Sequence, residues 1–268
     1  MKKQFFILLL ALLFSKVSIA QHQEINEKPS MWKGMKNRTK DSTTFLHAIK
    51  SGKVDVHLRY FFMATDNQKG LTDYFANAIG GALRYETAPF HGFQVAASGS
   101  FIFNIGSSDL SKPDSITGQM NRYEIGLFDI ENPKNKKDIT DLEEFYIKYN
   151  IKESHIIFGR QFINTPFINL QDGRMRPTAV VGLWSEINAI KKLHLEGGIL
   201  YNISPRSTIK WFSPGESIGV YATGVNIDGT KALYADSLES KIIFIAGADW
   251  KPNKYFKLQA WELFTHNI

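Results

Sequence analysis

The pentapeptide Gly215-Glu216-Ser217-Ile218-Gly219 has the G-x-S-x-G spacing of a nucleophile elbow, and Asp236 and His266 follow it in the order of an esterase triad. Ser217 would be the nucleophile, His266 its base and Asp236 the group orienting that base. The elbow needs a buried strand before the serine and a helix after it. Pro214 precedes it, and Val220-Tyr221-Ala222-Thr223-Gly224 after it is poor in helix formers, so the match reads as a coincidence within a loop. The histidines (His22, His47, His57, His91, His155, His194, His266) form no i, i+4 pair and no H-E-x-x-H, which leaves a zinc site without support. Asp138, Asp141, Glu143 and Glu144 could hold calcium at the membrane edge, but a solvated acidic stretch accounts for them better. No glycine-rich phosphate loop is present. The residues imply no enzyme, no metal and no cofactor.

The elements around these residues explain why little catalysis is written into them. Lys2 and Lys3 precede an unbroken apolar run from Phe5 to Phe14, and Ser18-Ile19-Ala20 offers small residues before Gln21. This is the pattern of an export signal over 1–20, cleaved between Ala20 and Gln21. The run is about half the length that a membrane-spanning helix needs. The chain has no cysteine, which excludes both a disulfide scaffold and a cysteine-linked lipid anchor. Its net charge of +6 includes Lys2, Lys3 and Lys16 of the signal, too mild a balance for nucleic acid. Aromatics make up 13% of the chain, yet no segment after Ala20 is apolar enough for a transmembrane helix. Lipid-facing strands conceal apolarity in this way, because only alternate residues meet the membrane.

Residues 21–52 are polar and are expected to form a mobile periplasmic leader, with Thr44–Lys50 suited to a helical turn or two. From Lys53 the pattern becomes period two. Val54, Val56, Leu58 and Tyr60 alternate with Asp55, His57 and Arg59. Phe93, Val95 and Ala97 alternate with Gln94, Ala96 and Ser98, and Leu193, Leu195 and Ile199 with His194 and Glu196. The pattern predicts about nine strands, near 53–64, 75–88, 91–104, 141–150, 153–162, 177–188, 191–203, 240–250 and 254–266. Short turns at Pro89-Phe90, Ile151-Lys152, Ala189-Ile190 and Pro252-Asn253 alternate with long connections at 65–74, 105–140, 163–176 and 204–239. Short periplasmic turns and long outer loops are the topology of a transmembrane β-barrel. The fold expected is therefore all-β, an antiparallel transmembrane barrel over 53–268. Val56, Leu58, Val95, Leu195 and Ile199 should face lipid, and Arg59, Gln94, His194 and Glu196 the lumen.

Four stretches carry a family likeness: Leu58–Phe62, Leu83–Thr87 with Gly92-Phe93, Glu144–Tyr149, and the run from Gly159-Arg160-Gln161 through Thr165-Pro166 to Asp172-Gly173-Arg174-Met175-Arg176-Pro177-Thr178. Together they make the chain resemble the OprD-like outer-membrane porins. The last run, with Asp172, Arg174 and Pro177 at the family's spacing, is the most specific. The resemblance implies an outer-membrane channel for passive, partly selective diffusion of small solutes or ions. Family barrels have roughly 18 strands and pass solutes, often carboxylate-bearing, along a row of basic side chains. Carried over by position, Arg160, Arg174 and Arg176 become constriction charges. Arg176 departs from the commoner apolar residue there.

The connection 163–176 is too apolar (Ile163, Phe167, Ile168, Leu170) to extend freely into water, so it is expected to fold into the barrel mouth. Arg160 stands at its base and Arg174 and Arg176 at its exit, with Asp172 pairing one of them. Guanidinium groups stay charged at any working pH and bind carboxylates in a bidentate way. The partners expected are outer-membrane lipid, small permeating solutes and barrel-insertion machinery, with a homo-oligomer possible and no nucleic acid. About nine strands is half of the family's barrel, and an open sheet leaves edges unpaired in lipid. The sequence is therefore expected to be an incomplete or truncated porin, or one completed by strands from further copies. The competing reading from another class is a secreted soluble β-sheet binding protein.

Overall fold

Val54, Val56, Leu58, Tyr60 and Phe62 point to one side of the first strand, and Asp55, His57, Arg59 and Phe61 to the other. The same alternation repeats along the chain. In the computed structural model, the described residues are 41–121, 123–134, 139–168, 170, 174–220, 226–230 and 238–266. The expected export signal at 1–20, residues 21–40 of the leader, Asp172 and Asp236 lie outside them. Nine strands form at the nine expected places: β1 (Lys53–Thr65), β2 (Tyr74–Glu86), β3 (Phe93–Ser107), β4 (Ile139–Ile151), β5 (Ser154–Gln161), β6 (Ala179–Ile190), β7 (Leu193–Ser204), β8 (Ile243–Trp250) and β9 (Leu258–Thr265). Each pairs antiparallel with the next, in the order β1 to β9, to give one sheet. Among the described residues β1 and β9 remain its edges, so the sheet is open, consistent with half of a barrel. No helix among them is long and apolar enough to cross a membrane, and the strands take that role.

One face of the sheet is an apolar belt. Val56 is 65% exposed and Leu58 73%, and Val95, Phe103, Phe145, Ile147, Phe158, Ile199 and Phe244 are open on the same side. In water such a belt would be unsustainable; against lipid it is what holds the protein in place. Leu195 sits opposite outward Ala248, while Arg59, buried Gln94, His194 and Glu196 lie on the inner face.

Two turns are displaced from their expected places. The β4–β5 turn is Lys152-Glu153 and the β6–β7 turn is Lys191-Lys192, with Lys152 and Lys192 in the left-handed region at φ 56 and 67. Ala189 and Ile190 extend β6 instead, because their apolar side chains suit the rim of the belt. The β8–β9 connection is longer than expected. Asn253 Oδ1 accepts from the N–H of Tyr255 (2.9 Å) and Phe256 (3.0 Å), an Asx turn that delays β9.

Before β1 lies helix α1 (Phe45–Lys50), capped by the Thr44 hydroxyl, which accepts from His47 N at 3.1 Å. This end of the leader is docked on the rim: Ala88 N donates to Ala48 O (3.0 Å) and Ser42 N to Pro89 O (2.7 Å). A second short helix, α2 (Pro214–Gly219), stands in the connection after β7 behind a Ser213/Glu216 capping box.

Candidate functional site

Three connections turn back over the inner face. Residues after β3 run inward to a 3-10 turn at Glu124–Leu127. There Leu110, Ile125, Leu127 and Phe128 pack on Ala76, Ala78 and Ile102 of the strands, with Phe61 and Met63 at the margin. After β5, Ile163 and Ile168 pack on Val180, Trp184, Leu200, Ile243 and Ile245. Ile163 and Ile168 thus turn their part of the 163–176 connection inward. The third segment, 205–209, bridges the other two: Ile130 N donates to Ser207 O at 2.9 Å, and Ser207 Oγ to Gly126 O at 2.5 Å. The inward course of 123–130 was missed from the sequence. Its one signal is the apolar run Ile125-Gly126-Leu127-Phe128 inside an otherwise polar connection.

Arg59 and Arg174 meet where these segments join the wall. Arg59 Nη1 donates to the carbonyl of Arg174, and Arg174 Nη1 donates to Tyr123 O at 3.1 Å. Arg174 holds φ 43, a left-handed value that turns its side chain toward the 3-10 segment. A Cβ on Gly126 would meet the end of the Arg174 side chain as it lies here, so glycine leaves room for that close approach.

Arg176 is used differently. It is 2% exposed, with Nη2 at 2.8 Å from Asp141 and Nε at 3.3 Å from Glu143. Nη1 donates to Thr208 O and Nη2 to Ser204 Oγ at 3.1 Å. Its charge ties the 174–178 segment to β4 and to the 205–209 bridge.

Arg160 lies on the other face. It pairs across the ladder with outward Phe145 and Val181, while its neighbour Gln161 is buried on the inner side. Arg160 Nη1 donates to Leu142 O at 3.0 Å and its guanidinium lies 4.6 Å from the Trp211 ring centroid. Strand parity is the reason: counted inward from Gln161, Arg160 must point out.

A second charged group on the inner wall also escaped the sequence reading. Buried Arg84 lies 3.2 Å from Glu144 and 3.6 Å from Asp55, and it contacts Glu86 and Tyr146 as well. Gln94 Nε2 donates to Glu86 Oε1 at 2.9 Å. His194 bridges Asn188 (2.6 Å) and Glu196 (3.1 Å) further round the wall. A bulge in β4 links the two arginine groups. Ser98 pairs with Glu144 and Gly99 with Leu142, so Glu143 is the extra residue. Both glutamates therefore face inward, Glu144 toward Arg84 and Glu143 toward Arg176.

Above this region the outer connections are held by Asp114. Its Oδ1 accepts from Thr117 N (2.7 Å) and Ile116 N (3.0 Å), and its Oδ2 from Thr72 N (2.7 Å). Backbone donors from Thr117 and Thr72 hold its carboxyl well below the usual carboxylate range.

An apolar belt outside, charges inside and inward-folded outer connections describe a channel wall. The sequence matches the family described as outer membrane porin, OprD family, over residues 49–267. The chain belongs to the OprD family of outer membrane porins. Solved porins share its fold. OccK9 (OpdG) of Pseudomonas aeruginosa is 18% identical with a TM-score of 0.60, over 82% of this chain and 52% of that one. OccK8 (OprE) of the same organism is 20% identical with a TM-score of 0.54, over 81% and 47%. OpdK of the same organism, solved with vanillate, is 18% identical with a TM-score of 0.53, over 81% and 49%. The chain thus spans about half the length of these porins. No curated protein sequence matches it.

Membership of this family places the protein in the outer membrane, with the belt of Val56, Leu58, Val95 and Ile199 as its lipid face. It also gives the G-x-S-x-G segment a plain setting. Ser217 lies inside the capped turn of α2 in a porin's outer connection, its hydroxyl donating to Pro214 O at 2.7 Å. Among the described residues no group of acidic and histidine side chains is arranged to hold a metal.

Proposed function

We propose that this porin wall forms, with the rest of its barrel, a passive channel for small carboxylate-bearing solutes, and that Arg59 and Arg174 are its selectivity charges. The observation carrying this reading is that Arg59 Nη1 donates to the Arg174 carbonyl while Arg174 Nη1 donates to Tyr123 O, which brings two arginines to one place on the inner wall. A carbonyl orients an arginine without itself neutralising the charge, so the pair keeps attraction for a passing anion beside the nearby Glu143. Arg176, enclosed by Asp141 and Glu143, acts by holding the inward segment in place. Arg160 sits outside the permeation path. Attraction at the narrow point must stay weak enough for release, as conduction requires. Passage needs no catalysis. The vanillate in the OpdK structure is itself a carboxylate, which accords with this class of solute.

The test is reversal potential in a planar bilayer. A unit charge removed at about 4 Å in water is worth on the order of 1 kcal/mol, roughly a fivefold effect. Arg59→Ala with Arg174→Ala should lower the anion-to-cation permeability ratio by at least that factor and slow carboxylate uptake. Arg160→Ala should leave both unchanged. Selectivity that follows Arg160 and ignores the Arg59/Arg174 pair would overturn the assignment.

A further inference from the structure

Helix α1 leaves its apolar side chains open. Phe45 is 64% exposed, Leu46 58% and Ile49 40%, whereas Ala48 is buried against the β2–β3 turn. A free periplasmic leader has no reason to present three large apolar groups from one short helix. Their position supplies one. The Tyr85 hydroxyl donates to Ile49 O, and Tyr85 lies on the outward face of β2, between Val54 and Ala97 of its neighbours. Gly52 permits this, since a Cβ there would fall within the Tyr85 ring. Phe45 meets Phe90 of the turn edge-on at 6.1 Å, and Gly92 N donates to Asp41 Oδ1 at 3.1 Å. The helix is therefore fastened to the lipid-facing side of the rim with the short turns, the periplasmic rim of a porin. Its open residues continue the belt formed there by Val54, Phe93 and Tyr149. His47 lies on the side of the helix opposite Phe45 and Ile49, and Lys50 closes the last turn beside Leu46.

We propose that α1 is an interfacial anchor, laid in the periplasmic leaflet of the outer membrane with Phe45, Leu46 and Ile49 inserted at the boundary between headgroups and acyl chains. An amphipathic helix with large apolar residues on one side and basic residues on the other has this location open to it. The occupant of the face is lipid because the face runs without a break into a surface that lipid already covers. The helix is pre-docked by the rim, so insertion needs no folding of a free segment. It also sets the depth at which the first hairpin sits.

The absence of native cysteine allows a direct test with single spin labels. The full-length protein carrying Ile49→Cys, His47→Cys or Leu58→Cys is labelled and reconstituted into phosphatidylethanolamine–phosphatidylglycerol vesicles. Oxygen, which partitions into lipid, and a nickel chelate, which stays in water, are then compared as relaxing agents. The Ile49 label should follow Leu58, relaxed by oxygen and shielded from nickel, and the His47 label, on the opposite side of the helix, should show the reverse. Nickel access at Ile49 equal to that at His47 would place the helix in water and overturn the proposal. Shielding of Ile49 from both agents would mean that protein covers the face, and would overturn it as well. Leu58 reports separately on whether the barrel itself is inserted, so failure of the anchor and failure of the porin reading are distinguishable.

Discussion

Arg176 and Asp114 are two charged residues that stabilise the same inward architecture by opposite means. Arg176 is a buried cation between two carboxylates, and removing it strands Asp141 and Glu143 in the wall. Loss of one member of such a buried group costs about 3–5 kcal/mol. Arg176→Ala should therefore lower the thermal transition of the detergent-solubilised channel, read by its heat-modifiable gel mobility, far more than Arg174→Ala does. Asp114 works through donors alone. Its carboxyl is held below the usual range, so its contribution is fully present above the ordinary carboxylate pKa of about 3.9 and is lost as pH falls through the lowered folded value. Limited proteolysis should find the 66–73 and 108–121 connections protected at pH 7 and at pH 5, and opened only in stronger acid. Asp114→Ala should open them already at pH 7. None of this pairing was legible beforehand, because Arg176 finds Asp141 and Thr208 across long sequence separations.

At the scale of elements, β4 carries the decisive irregularity. Glu143 has no partner of its own in the β3 ladder, so its deletion leaves Leu142 outward and Asp141 inward. Deleting Phe145 also lets the bulge close, but it turns Glu144 outward toward lipid and away from Arg84. The first deletion should yield a folded, heat-modifiable barrel, and the second a barrel that is far less heat-stable or none. The connections make a parallel case. Ile163 and Ile168 seat their segment on the inner wall by apolar burial. Ile163→Asp should unseat it and raise single-channel conductance. Apolar content marked this segment in the sequence, whereas the 123–130 segment, with a weaker apolar run inside a long polar connection, showed its inward course only in the structure.

The whole molecule is a sheet with two solvents. Cysteine at Leu58 or Val95 should resist a water-soluble thiol reagent in intact membranes, and cysteine at Arg59 or Glu196 should react. Labelling in the opposite sense would reverse inside and outside. The sheet also constrains its own closure. β1 and β9 run in the same direction, so strands that join them in an all-antiparallel barrel must be odd in number. Unpaired backbone at either edge is prohibitive in hydrocarbon, which makes that closure a condition of insertion.

Period-two alternation determined the nine strands, the two faces and the sorting of short turns from long connections, because each depends on neighbours a few residues apart. Facing at Arg59, Gln94, His194 and Glu196 followed from it directly. The tertiary structure alone decided which arginines face inward and what holds them. Gly159-Arg160-Gln161 reads alike in either parity, and only pairing with Phe145 turned Arg160 outward. Arg174 and Arg176 stand two residues apart, yet one ends against carbonyls and the other between carboxylates. That difference comes from a one-residue bulge and from segments brought together across the barrel interior, and a local pattern encodes neither.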